Sequence, residues 1–212
     1  MKHILKITGI IALTFLLVYP NSVSAQGKIE ISPLVGYQFG GKFRMYEGEL
    51  KIQDDMNYGL AISTEMAQDT RLEFIWTSMQ TSADFRPYYG YGYLEGGFDL
   101  NINYYQIGGL REFPSGGAVV PFGEFTMGAV QFTPSDVNVS ETWRFSIALG
   151  GGAKIWLSDR IGIRLQGRLL MPLYFQGVSI YAGTGGSGMG VGAGVPIIQG
   201  DFMAGLIFAF GD

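Results

Sequence analysis

Five charged residues stand out because of what surrounds them. Glu73, Glu124, Arg144, Arg164 and Arg168 fall in segments where apolar side chains recur at every second position, in a chain whose charged residues amount to only 15%. Acids and bases gathered in such surroundings can do two things. They can pair and crosslink a packed interior, or they can line a narrow conduit for solutes. The first is the expected role here. Other chemistry is poorly supplied. The one histidine, His3, lies in an N-terminal stretch expected to be removed, and the chain has no cysteine. Histidine-based triads, thiol catalysis and the usual zinc sites are therefore excluded. No catalytic residue, cofactor or metal is expected.

A second candidate is a contact surface. Arg86, Tyr88, Tyr89, Tyr91 and Tyr93 are interleaved with Pro87, Gly90 and Gly92. Tyrosine and glycine together make adaptable binding loops. The run from Gly183 to Gly194 is rich in glycine but lacks the Gly-Lys-Ser/Thr of a phosphate loop, so it reads as a flexible outer loop. Glu47, Glu49, Asp54 and Asp55 read as solvated loop charges.

These residues are positioned by an exported β-structure. Lys2 and Lys6 precede an apolar run from Ile7 to Tyr19, Pro20 ends it, and Val23-Ser24-Ala25 supplies a cleavage site. Residues 1–25 are expected to be a cleaved signal peptide and 26–212 the mature domain. Removing the two lysines leaves 12 basic against 18 acidic residues, a net charge of −6. That balance argues against nucleic acid, whose phosphates want a basic surface.

Beyond residue 25, period-two segments recur eight times. They are Ile29–Phe39, Asn57–Glu65, Arg71–Gln80, Phe98–Arg111, Val120–Thr133, Thr142–Leu157, Arg160–Met171 and Asp201–Phe210. Pro33 predicts a bulge or irregularity in the first. In the fourth, Phe98, Leu100, Ile102 and Tyr104 oppose Asp99, Asn101 and Asn103, and the apolar set is assigned to the outside. The fifth is ambiguous, since Glu124 shares a parity with Phe122 and Val130. Links alternate short and long, the long ones near 40–56, 81–97, 134–141 and 172–200.

A sheet can enter lipid only if it closes and loses its edges. Apolar faces outside, charges inside and alternating loops predict an all-β, eight-stranded antiparallel up-and-down transmembrane β-barrel. Tyr37, Tyr58, Trp76, Tyr104, Trp143 and Trp156 are the candidates for interfacial aromatics.

The stretch Phe145–Arg168, with its glycine-rich strand, Ser158-Asp159-Arg160 turn and arginine-bearing strand, resembles the last hairpins of OmpA-like and OmpX-like outer-membrane barrels. Pro121-Phe122-Gly123 resembles the opening of the preceding strand. The resemblance implies a structural or surface-interacting protein in the outer membrane of a Gram-negative-type bacterium. It implies contact with outer-membrane lipids and lipopolysaccharide and delivery to the barrel assembly machinery; a monomer is the expectation, although nothing in the sequence fixes the oligomeric state. That machinery reads a terminal aromatic, here Phe210, two residues from the end. A narrow small-solute channel and a soluble, lipocalin-like periplasmic barrel remain the alternatives.

Overall fold

In the computed structural model the described residues are 28–44, 48–88, 96–135, 140–183, 186–194 and 198–211. The expected signal peptide lies outside them. Eleven strands follow in order: β1 (Ile29–Phe39), β2 (Gly41–Arg44), β3 (Gly48–Ile52), β4 (Asp55–Ala67), β5 (Thr70–Pro87), β6 (Gly96–Glu112), β7 (Val119–Pro134), β8 (Thr142–Trp156), β9 (Ile161–Gly183), β10 (Gly186–Gly194) and β11 (Gln199–Phe210). All pairings are antiparallel.

Eight strands close a barrel in the order β5-β4-β1-β11-β9-β8-β7-β6, with β6 returning to β5. The long strands and short turns explain the closure, because each strand finds its neighbour in sequence and β11 finds β1. Gln68 and Asp69 connect β4 to β5, and Asp69 takes the left-handed conformation (φ 52°) that a tight turn requires. The turns at 113–118 and 157–160 lie at the same end.

At the opposite end the strands run further than the sequence pattern indicates. The expected loop at 81–97 is partly strand, since β5 continues to Pro87 and β6 begins at Gly96. The expected loop at 40–56 contains the β2–β3 hairpin, and β3 pairs with the outer part of β5. The glycine run is also ordered into strand: β10 folds back on β9, with one register shift between Gly192 and Ala193. No bulge forms at Pro33. The ladder to β11 skips from Ile31↔Phe208 to Leu34↔Gly205 without changing register, because proline removes a donor without requiring an extra residue.

Register also gives the tilt. From Tyr37 the partners run to Phe202, Gly167, Gly151, Gly123, Arg111 and Thr70, which stands at the turn end beside β4. One circuit therefore descends about ten residues, a shear that tilts the strands roughly 40°.

Below the level of Tyr37 the outer face is apolar. Ile29, Val35, Ile62, Phe74, Ile107, Phe125, Leu149, Leu165 and Phe208 are exposed there. No outward residue of these strands between that level and the turn-end residues is charged. Eight residue steps along β1, from Tyr37 to Ile29, at a rise of about 3.3 Å and this tilt, give a belt roughly 20 Å high, close to the height of a lipid-facing band.

Candidate functional site

The interior is a stack of side-chain layers. Nearest the turns, Lys154 donates to Glu30 Oε2 and Glu112 Oε1, each at 2.5 Å. Arg71 pairs with Glu30 at 3.3 Å, and donates to Ser63 Oγ at 3.1 Å and the Lys28 carbonyl at 2.5 Å. Two cations thus meet two carboxylates, and Lys154 has no exposed surface. The pleat forces this arrangement: Glu30, Arg71, Glu112 and Lys154 occupy the inward parity of β1, β5, β6 and β8.

The next layer is centred on Arg164 of β9. Its Nη1 and Nη2 donate to Glu73 Oε2 and Oε1 at 2.5 and 2.8 Å, a two-pronged pair. Nη2 also reaches Glu124 Oε2 at 3.0 Å, and Nε donates to Gln166 Oε1 at 2.5 Å. The guanidinium lies 4.9 Å from the ring centroid of Phe122. Glu124 and Phe122 share a parity on β7 because they form one inward layer, acid against the edge of the cation and ring against its face. An apolar cluster of Leu34, Ala61, Ile75 and Met203 also lies in the interior.

Arg168 belongs to a third layer. It pairs with Asp201 through Nε and Nη2, at 3.1 and 2.5 Å, and Nη2 also donates to Thr77 Oγ1 at 3.4 Å. Asn57 donates to Asp201 and Gln38, Gln38 to Gln199, and Gln199 to the carbonyl of Gly40 at 2.6 Å. Tyr104 donates its hydroxyl proton to Gln199.

Beyond this layer the pattern reverses. Ile52, Met79, Ala83, Leu100, Ile102, Tyr104, Val130, Ala148 and Leu170 form an apolar cluster inside the barrel on the loop side. Gln80, Asp99, Asn101, Asn103 and Gln131 take the outward parity there. The expected faces of β6 are therefore inverted: Phe98, Leu100, Ile102 and Tyr104 point in, and Asp99, Asn101 and Asn103 point out. This part of β6 stands clear of the lipid belt, and where water replaces lipid outside, the favourable face pattern is that of a soluble protein.

The boundary carries aromatics. Tyr58 and Trp76 meet edge to face at 5.9 Å, and Tyr105 stacks on Trp143 at 5.8 Å. Tyr37 and Phe202 are register partners at this level. Tyr105, not Tyr104, is the interfacial residue of β6. Trp156 lies at the turn end, beside a recess lined by Lys28, Leu157, Ser158 and Asp159.

Of the five charged residues singled out in the sequence, Glu73, Glu124 and Arg164 touch one another and Arg168 faces Asp201 instead. Arg144 is not drawn into these layers. It stands near the loop-side start of β8, where Nη1 donates to the Trp143 carbonyl. Glu30, Arg71, Glu112, Lys154 and Asp201 complete the ionic interior. Their signal was present in part: Arg71 shares a parity with Glu73 and Lys154 with Arg144, whereas Glu112 shares one with the β6 residues expected to face out. In the tyrosine-rich segment, Arg86 lies within β5 opposite Glu49 of β3, and Tyr88 follows it, exposed. Tyr89, Tyr91 and Tyr93 lie outside the described residues. Asp54 caps the Gly40 amide at 2.9 Å, and no metal-binding group of His, Cys, Asp or Glu occurs among the described residues.

A closed eight-stranded sheet with a charge-free apolar belt and its ions inside has the architecture of a small transmembrane β-barrel. Among the solved structures that share the fold are the outer-membrane protein OprG from Pseudomonas aeruginosa and the Neisserial surface protein A. The first superposes with a TM-score of 0.63 at 12% identity, covering 88% of this chain and 97% of that one. The second gives 0.54 at 11% identity, covering 86% and 97%. No family model and no curated protein matches the sequence.

Proposed function

We propose that the protein is a non-enzymatic barrel of the outer membrane, exported behind a signal peptide cleaved after Ala25, whose role is structural and surface-interacting. The lumen filling carries this reading. Three ionic layers and an apolar cap occupy the interior from turns to loops, so what the molecule offers its surroundings is its outer wall and loop-side strands. On this reading Glu73, Glu124, Arg164 and Arg168 are crosslinks, and the segment from Arg86 to Tyr93 is a contact surface toward lipopolysaccharide or a partner. A solute conduit would need a gap through layers in which Lys154, Arg164 and Tyr104 are buried. A lipocalin-like barrel would need the lower wall turned inside out.

Gel mobility of extracted outer membranes with and without boiling tests the assignment. A heat-dependent band shift that follows the membrane fraction is expected. Planar-bilayer recording separates the two barrel readings: no steady conductance steps are expected, and reproducible steps would favour the channel.

A further inference from the structure

We propose that the mature chain begins with a pyroglutamyl ring made from Gln26, and that this ring packs in the recess at the turn end of the barrel. The proposal rests on cleavage after Ala25 and adds a modification to the segment that cleavage leaves.

The residues at the cut carry the chemistry. Cleavage there makes Gln26 the first residue, followed by Gly27 and Lys28. An α-amine is half neutral at a pH of about 8, so part of it is nucleophilic under ordinary conditions. In a terminal glutamine that nitrogen reaches the side-chain amide carbon of its own residue and closes a lactam. The bond from the α-nitrogen to Cδ forms and the bond from Cδ to Nε2 breaks. The displaced nitrogen takes the amine's proton and leaves as ammonia. Nothing is oxidised or reduced, and no co-reactant is consumed. Gly27 puts no Cβ beside the reacting residue, and Gln26 precedes the β-ladder, which starts at Ile29.

Placement supplies the recess. The Lys28 carbonyl accepts a hydrogen bond from Arg71 Nη2 at 2.5 Å, which ties the chain to the lowest ionic layer. Lys28 also lines an open recess of about 390 Å³ with Trp156, Leu157, Ser158 and Asp159. The residues between the cut and Lys28 span at most ~7 Å when extended, so the terminus stays beside this recess. Trp156 and Leu157 offer it an apolar wall. Ser158 Oγ accepts from the Ile161 amide at 3.1 Å, which leaves its hydroxyl proton to donate. Among the described residues nothing pairs with the Asp159 carboxylate. A lactam presents an N–H and a C=O on an apolar ring, which match Asp159, Ser158 and the wall in turn. An open terminus would instead set an ammonium beside the like charge of Lys28.

The test is the intact mass of the exported chain from freshly isolated outer membranes, with stepwise degradation from its N-terminus. A mass equal to residues 26–212 less one ammonia is expected, with degradation blocked until pyroglutamyl peptidase removes the ring. The Gln26→Glu variant has no amide to displace, so it should keep its amine and degrade normally. Its barrel should show the same boiling-dependent gel shift as the parent. To read the recess, Trp76→Phe and Trp143→Phe leave Trp156 as the sole tryptophan, and acrylamide quenching of the folded barrel is compared. The ring should shield Trp156 in the parent more than the open terminus does in Gln26→Glu. A chain that starts at Gln26 with its ammonia retained overturns the ring and leaves the cleavage standing. A chain that starts anywhere else overturns both. A ring-bearing chain whose Trp156 is quenched as in Gln26→Glu overturns the packing in the recess.

Discussion

The Arg164 layer contains one cation and two carboxylates, and this imbalance predicts an order of mutational cost. Arg164 spends two bonds on Glu73 and one on Glu124, all three partners being buried. Glu124→Gln leaves the two-pronged Arg164–Glu73 pair intact and neutral. Glu124 Oε1 has no partner to lose, so the cost should be about 1 kcal/mol or less. Glu73→Gln leaves Arg164 against Glu124 through a single bond. Weakening two charge-assisted bonds should cost about 2 kcal/mol. Arg164→Met removes the only cation and leaves two carboxylates facing each other beside Phe122. Breaking a buried pair in this way costs roughly 3–5 kcal/mol. Urea titration of the barrel folded in lipid vesicles, read by tryptophan fluorescence or by the folded gel band, measures all three. The predicted sequence is Glu124→Gln, then Glu73→Gln, then Arg164→Met. If Arg164→Met proved no more costly than Glu73→Gln, the charge count within the layer would not govern its energetics. The crosslinking role would then have to be abandoned for one of simple space filling.

Three further outcomes follow from the same geometry. A Cβ at Gly152 would sit 1.9 Å from the Leu165 carbonyl oxygen, a backbone atom that cannot swing away, whereas one at Gly109 meets nothing within 4 Å; urea midpoints should therefore show Gly152→Ala destabilised by about 1–3 kcal/mol and Gly109→Ala unchanged. In the cap, Ile102→Ala should cost about 2–4 kcal/mol while its neighbour Asn103→Ala changes stability by less than 0.5 or so, and equal costs in the same titration would mean that the faces of β6 are as the bare alternation suggests. Brominated lipids should quench Trp143 strongly in a variant with Trp76 and Trp156 replaced by phenylalanine, and quenching that ignored bromine depth would displace the proposed boundary.

Much of the lower barrel was legible because one rule governs it throughout. On β9, Ile161, Ile163, Leu165 and Leu169 face out and Arg164, Gln166 and Arg168 face in, as their alternation requires. The same holds for Glu73 against Leu72 and Phe74. What parity cannot supply is which ions meet. Arg168 and Arg164 are two residues apart on one strand, yet shear carries them to different partners, Asp201 on the adjacent β11 and Glu73 across the lumen on β5. Arg144 also has inward parity, but it stands near the loop-side start of β8, beyond the three ionic layers. The added strands were hidden for a different reason. In glycine-rich β10, Met189, Val191 and Ala193 alternate only with glycines, so no polar face opposes them to mark a strand, and β2 and β3 are too short to show a period.

The inversion on β6 follows from solvent, not from sequence strength. Phe98 to Asn103 is the cleanest alternation in the chain, and an alternation fixes only that two faces differ. Which face is wet depends on the medium outside. In lipid the apolar face must point out, since an exposed charge near mid-depth costs about 2–4 kcal/mol. In water the same face must point in, where it seals the lumen. A single strand can therefore satisfy both media only by exchanging polarity between its faces. On β6 the exchange falls between Asn103 and Ile107, and the residue between them on the outward face is Tyr105, stacked on Trp143. An amphipathic ring at that point is what an interface selects. The membrane boundary is thus written in the chain as a change of face, recognisable once neighbouring strands fix the register, and the apolar cap and the polar outer face of β6 are its two consequences.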